Sequence, residues 1–189
     1  MANIAQDPAV RSIALLRGIN VGGNRKIPMA DLRAWLDAAG FTDVRTYIQS
    51  GNVVVEHETK LDVASRVHDA IEEHSGLDVP VIVRTSQELS AIVAANPYHG
   101  VEPTRLHVSF LADVPDAVAT KTANASDWAP EEFTMVGREV YLHLPEGMGR
   151  SVMVPRLKLI KNATTRNWNT VLALVDLGDE GDEVDLTQA

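Results

Sequence analysis

Three cations, Arg17, Arg25 and Lys26, fall in a stretch from Arg17 to Lys26 that contains no acid and is otherwise rich in glycine and asparagine. Gly18 and Gly23 have the spacing at which a phosphate-binding loop places its two glycines. In such a loop a Lys and then a Ser or Thr follow the second glycine directly. The Lys reaches the terminal phosphates and the hydroxyl holds Mg²⁺. Here Asn24-Arg25 follows instead, so nucleotide hydrolysis of that type is rejected. Part of the physics survives. Gly22 and Gly23 can expose backbone N–H groups, and a helix is expected to start near Pro28 just behind them, both of which suit an anion. Arg17, Asn20 and Lys26 can complete such a site. A tight strand-to-helix turn whose glycines supply positive φ explains the same residues equally well.

A second stretch, Thr164 to Thr170, places Arg166 and Asn167 in the expected first turn of a helix. A cation there opposes the helix dipole, so a carboxylate or a bound anion should compensate it. Trp168 in the same stretch is better explained as core than as a ring for stacking. Gln49, Ser50 and Asn52 surround an expected hairpin turn. Turn chemistry accounts for Ser-Gly-Asn, while the sharper reading has Gln49 and Asn52 project their amides towards the Arg17 loop. Arg150 lies in a further basic loop. His107 and His143 are expected on the polar side of two strands, as neighbours, but without carboxylates they are weak metal ligands. The chain has no cysteine, which excludes disulfides, thiolate metal sites and a Cys nucleophile. No Ser-His-Asp spacing and no nucleophile elbow are present, because Ile48-Gln-Ser-Gly-Asn lacks the first glycine. No metal or cofactor is expected.

The formal net charge is −9 and the pI is about 5.1. That balance opposes general affinity for nucleic acid or an anionic membrane. It is unevenly spread: five cations and no acid lie between Gly147 and Val175, and six acids with no base lie between Asp176 and Ala189. Local anion binding fits this pattern better than bulk attraction. The first apolar run, Ile13 to Leu16, is too short for a signal h-region or a membrane span, so a cytoplasmic location is expected.

The elements that must position these residues follow from periodicity. Ile13 to Arg17 has the character of a buried strand. A helix follows with Leu32, Trp35 and Leu36 on one face and a stop at Gly40. Val44 to Gln49 and Asn52 to Glu56 form a hairpin about Ser50-Gly51. Leu61, Ala64, Val67, His68 and Ile71 make an amphipathic helix that closes near Gly76, and Val79 to Arg84 is a strand. The order is β-α-β-β-α-β, the ferredoxin-like pattern. Ser86 opens a connecting helix. The order then restarts with a strand from Arg105 to Leu111 (Leu106, Val108 and Phe110 on one face), a weaker helix after Pro115, and a hairpin of Phe133 to Val136 with Glu139 to Leu144. A basic loop leads to a last helix capped at Thr164 or Thr165 and stopped by Gly178. The expected fold is therefore α+β with two ferredoxin-like halves, 12–85 and 105–178, the second lacking a clear last strand. Residues 86–104 connect them, 1–11 form a flexible N-terminus, and 179–189 form an acidic tail expected to be separable from the fold.

Three stretches together resemble one family: Ala14-Leu-Leu-Arg-Gly-Ile-Asn-Val-Gly-Gly, Tyr47-Ile-Gln-Ser-Gly-Asn-Val-Val, and Thr164-Thr-Arg-Asn-Trp-Asn-Thr-Val. It is the bacterial domain of unknown function 1697. The resemblance covers the chain except both ends. It implies a two-part α+β fold and no assigned reaction. After Gly149-Arg-Ser the chain departs from the family's pattern, with Val152 where a basic residue is expected and a shorter stretch up to Thr164.

From these residues the favoured function is binding, with or without turnover, of a small anionic ligand such as a nucleotide or another phosphate compound. Its cleft would be lined by Arg17, Lys26, Arg150 and Arg166, with Arg17, Lys26 and Arg166 converging. An RNA or DNA binder ranks behind it, since the expected central strands carry no aromatics for base stacking. An interaction module without chemistry is the third reading. The oligomeric state is not readable from sequence.

Overall fold

The computed structural model describes residues 9–22 and 25–180. The first half is built of Ala9–Leu16 (β1), Met29–Ala38 (α1), Thr42–Tyr47 (β2), Asn52–Glu58 (β3), Val63–Ser75 (α2) and Val81–Thr85 (β4). Its sheet is antiparallel with strand order β2-β3-β1-β4. β1 starts ahead of the apolar run because Val10 and Arg11 pair with His57 and Glu56, and the Arg11 guanidinium meets the Glu56 carboxylate at 2.7 Å. Ala14, Leu16, Val53 and Val55 form one sheet face. They pack with Leu32 and Leu36 of α1 and with Val67 and Ile71 of α2. The Asp62 side chain caps α2 by accepting from the Ser65 N–H, and Gly76 ends the helix at φ 67°, a conformation that favours glycine.

Ser86–Ala94 (α3) leads to the second half. This is built of Leu106–Phe110 (β5), Ala117–Asn124 (α4), Glu132–Val136 (β6), Glu139–His143 (β7), Thr164–Asn167 (β8) and Trp168–Asp179 (α5). The sheet order is β6-β7-β5-β8, which repeats that of the first half. The registers coincide as well. Leu16 N–H donates to Gly51 O at 2.8 Å, and Leu111 N–H donates to Arg138 O at 2.9 Å. Ile13 faces Arg84 in one sheet and Val108 faces Arg166 in the other.

The halves differ where α2 would recur. Pro145, Gly147, Gly149 and Pro155 forbid a regular helix there. Only short 3-10 turns form, at Met148–Arg150 and Lys158–Ile160. The segment still fills the core by turning Met153, Leu157, Leu159 and Ile160 inward against Val140 and Leu142. The buried Glu131 carboxylate holds it by accepting from the Met153 N–H at 2.6 Å and the Val152 N–H at 3.3 Å.

The last helix begins later than its sequence signature indicates. Thr164 and Thr165, expected as its cap, lie in β8. β5 needs a second neighbour, and β-branched threonines suit a strand. The Ser109 and Thr165 hydroxyls lie 2.7 Å apart across the pair. β8 is thus the strand that the sequence leaves indistinct, and the half ends on a helix. Gly178 lies inside α5 and does not stop it. A Cβ there would sit 2.9 Å from Ser86 Oγ, and the Gly178 carbonyl accepts from Arg11 Nη1 at 2.9 Å. Gly178 therefore permits a close approach. By contacts the described residues divide into two compact units, those up to Gln87 together with those from Asp176 onward, and Glu88–Val175. Of the expected acidic tail, Asp179 belongs to α5 and Glu180 pairs with Arg45 at 2.9 Å. Residues 181–189 lie outside the described residues, as do residues 1–8 of the expected flexible N-terminus.

Candidate functional site

In the first unit the Asn20 side chain links the loop after β1 to the β2-β3 hairpin. Asn20 sits at φ 55°. Its Oδ1 accepts from the Ile27 N–H at 2.9 Å, and its Nδ2 donates to Ile27 O at 3.0 Å and to Gln49 O at 2.8 Å. Its backbone N–H donates to Arg25 O at 3.1 Å. Every hydrogen-bonding group of the carboxamide is engaged, so Asn20 closes the loop and is not available to a ligand. Asn52 also acts inside the fold. It is fully buried, and its Nδ2 donates to Tyr47 O and Ser50 Oγ, both at 3.0 Å. Gly51 between them has φ 78°, and a Cβ there would stand 2.7 Å from Leu16 Cβ. Packing and turn geometry therefore account for the Ser-Gly-Asn motif.

Beside the Asn20 staple lies an open cavity of about 670 Å³, lined by Asn20, Lys26, Ile27, Pro28, Met29, Ala30 and Gln49. Its size falls in the range of small-molecule sites, roughly 300–1,000 Å³. Lys26 and Gln49 are exposed on its lining. α1 begins on the same lining. Its N-cap is Pro28, which gives no side-chain cap, and the first N–H groups of a helix have no partner within it. Asp31 stands in the first turn of α1 without capping it, whereas α2 and α4 are capped by a carboxylate: Asp62 for α2, and Asp116 for α4, which accepts from the Ala119 N–H at 2.8 Å. Gly22, at φ 63°, has open space around its Cα. Gly23 and Asn24 lie outside the described residues. Arg17 is half-buried at the end of β1, where its N–H donates to Pro80 O at 3.0 Å, and its side chain is not on the cavity lining.

Two features of the loop after β1 and of the β2-β3 hairpin escape sequence reasoning. Val21 and Ile48 are exposed apolar residues, at 70% and 52%. Ile48 also has φ 49°, which is rare for a β-branched residue. No periodicity announces a backbone outlier of this kind.

Arg150, Arg166 and Asn167 belong to the second unit. Arg150 is exposed and faces Glu146 at 3.6 Å. Arg166 is not in a helix start; it lies in β8 and is 8% exposed. Its Nη1 donates to Thr164 Oγ1 at 2.7 Å and to Thr165 O at 3.0 Å, and burial lowers its pKa to about 10. Within their unit, the exposed Arg150 and the buried Arg166 have different surroundings. Asn167 caps α5 through Oδ1, which accepts from the Asn169 N–H at 3.0 Å. Trp168 is buried with its ring 6.5 Å from that of Tyr141, which places it in the core as expected. Arg84, at the position in β4 that matches Arg166, is buried too; its cation was hidden within a β-branched run.

The histidines form no site. His107 pairs with Leu142 and His143 with Leu106, so the two lie on opposite sheet faces and are not neighbours. His107 is 7% exposed, not on a polar side. Its Nδ1 has no partner among the described residues, and burial lowers its pKa. Among the described residues no cluster of three His, Cys, Asp or Glu could hold a metal. Ser12 Oγ lies 2.9 Å from His57 Nε2, and His57 Nδ1 lies 2.8 Å from Glu58 O. That is the order of nucleophile, base and orienting group. However, Ser12 is 2% exposed within β1, so no substrate can reach it and the contact satisfies buried polar atoms.

The family model described as a protein of unknown function (DUF1697) matches residues 10–141. A comparison with curated proteins finds no match. Among solved structures, the conserved bacterial protein SP0830 from Streptococcus pneumoniae is similar, with a TM-score of 0.77 at 20% sequence identity, over 90% of this chain and 99% of that one. At that identity the likeness shows the fold alone. No helix among the described residues is long and apolar enough to cross a membrane.

Proposed function

The chain belongs to the DUF1697 family, and we propose that its first half binds a small phosphate-bearing anion in the cavity at the start of α1. One observation carries this reading: α1 opens uncapped onto a cavity whose lining includes Lys26. Asp31 in the first turn meets part of the helix dipole, and the uncapped N–H groups still favour a negative group there. The matched position in the second half is already filled by the Asp116 carboxylate. Arg166 and Arg150 are not needed for this site. Strand order supports reading each half as ferredoxin-like. A cytoplasmic setting, where phosphate compounds are abundant, fits the reading. The test is thermal unfolding with inorganic phosphate, at constant ionic strength. Phosphate at a hundred times its Kd should add about 2.7 kcal/mol of stability. Lys26→Gln should raise the Kd about tenfold without changing the stability of the free protein. Equal protection of both proteins would mean that Lys26 takes no part.

A further inference from the structure

Residues of α1 and α2 line a second cavity in the first unit, of about 380 Å³. That volume also lies in the range of small-molecule sites, roughly 300–1,000 Å³. Ala38, Ala39 and Ala70 keep it open with their short side chains. Trp35 and His74, both on the lining, stack with ring centroids 5.3 Å apart and planes inclined by 19°. His74 Nδ1 donates to Ala70 O at 2.9 Å, which leaves Nε2 as the acceptor of the neutral ring. Two carboxylates, Asp69 and Glu73, complete the wall supplied by α2. Four residues apart, they project from one side of the helix with their Cβ atoms about 5–6 Å from each other. Asp69 meets His68 Nδ1 at 3.3 Å. Glu73 is exposed and makes no hydrogen bond or ion pair among the described residues. The lining also holds Arg66, but its Nε donates to Ala39 O at 3.0 Å, which draws it to the end of α1. The last turn of α1 carries no basic residue, and the carbonyl end of a helix favours a cation.

We propose that this cavity binds a short aliphatic diamine, one ammonium group at Asp69 and the other at Glu73. The spacing of the carboxylates selects the class. Four methylene groups span a distance comparable to theirs, and that chain covers the alanines and the stacked rings. Each ammonium group carries three donors, more than one carboxylate takes up, and His74 Nε2 is a further acceptor. A monoamine reaches only one of the two acids. A metal ion needs ligands that converge on one point, and no group of three His, Cys, Asp or Glu among the described residues could hold one. The net charge of −9 attracts any cation, so the preference for two linked charges is what marks a site.

The experiment measures, by calorimetry at constant ionic strength, the affinity of the full chain for 1,4-diaminobutane, butylamine and magnesium ion. The diamine should bind at least about tenfold tighter than butylamine, and magnesium should not displace it. Glu73→Gln and Asp69→Asn each remove one charge and little volume. Either should bring the diamine down to the affinity of butylamine. Glu72→Gln makes the same change of charge on α2 at an exposed residue that is not on the lining, and it should leave diamine binding unchanged. If butylamine equals the diamine, if Glu72→Gln weakens binding as much as Glu73→Gln, or if the diamine does not bind, the proposal is overturned. The phosphate reading concerns a different cavity and is unaffected by any of these results.

Discussion

Gly51 meets a demand that no other residue type satisfies. Its φ of 78° disfavours any side chain, and a Cβ would enter the space of Leu16 Cβ and, at 2.9 Å, of Ile19 Cδ1. Neither neighbour can withdraw, since both are buried in the first core. Gly51→Ala should therefore cost about 2–4 kcal/mol, combining overpacking with backbone strain. Urea unfolding checks this, and a loss below about 1 kcal/mol would show that the turn can yield. The same residues mark the limit of sequence reading. Ser50-Gly51-Asn52 was legible as a turn because its residue types favour turns. The outward Ile48 was not, since its conformation is imposed by the neighbours that fix the turn. Asn20 was legible as a loop residue but not as a staple, because its partners Ile27 and Gln49 are brought together only by the fold.

At the level of elements, α1 is the informative helix. Pro28 suits a helix start but brings no acceptor. Pro28→Asp should supply one. The variant is expected to be more stable by about 1 kcal/mol and to lose the protection by phosphate, because its own carboxylate takes the place of the anion. Thermal unfolding with and without phosphate reads both effects, and retained protection would place the anion elsewhere. Element order was legible over most of the chain, since runs such as Ile13 to Leu16 and faces such as Leu32 with Leu36 carry clear periods. The start of α5 was not. Thr-Thr-Arg-Asn resembles a helix start locally, and only pairing with β5 makes it a strand. For the same reason Arg166 seemed to lie at a helix terminus when it lies in a sheet.

For the whole molecule, two histidines set opposing responses to pH. Burial lowers the pKa of His107 in the second unit, so folding favours its neutral form. Its contribution is complete above the ordinary histidine pKa, about 6.5, and is lost as pH falls towards the lower folded value. His68 in the first unit is raised, first by its hydrogen bond to Asp78 at 3.1 Å and then by Asp69. Its contribution is complete below the ordinary pKa and is lost as pH rises through the raised one. Denaturant unfolding between about pH 5 and 8 should therefore show steeper acid destabilisation for His68→Gln than for the natural chain. His107→Phe should show the reverse, a flatter or rising profile on acidification. Coincident profiles for all three would rule out both assignments.

The matched registers of the two sheets also give the chain an internal control for experiments on ligand binding. α1 and α4 follow corresponding strands, β1 and β5, and differ in their caps: α1 has Pro28 at the N-cap and no side-chain cap, whereas α4 has Asp116. Asp116→Ala would open the second helix start without adding a cation, at a cost of about 1 kcal/mol. In the Pro28→Asp background, that double variant asks whether bare amides suffice to hold phosphate. No recovery of protection is expected. Recovery would show that the second half retains a latent copy of the site, blocked by one carboxylate.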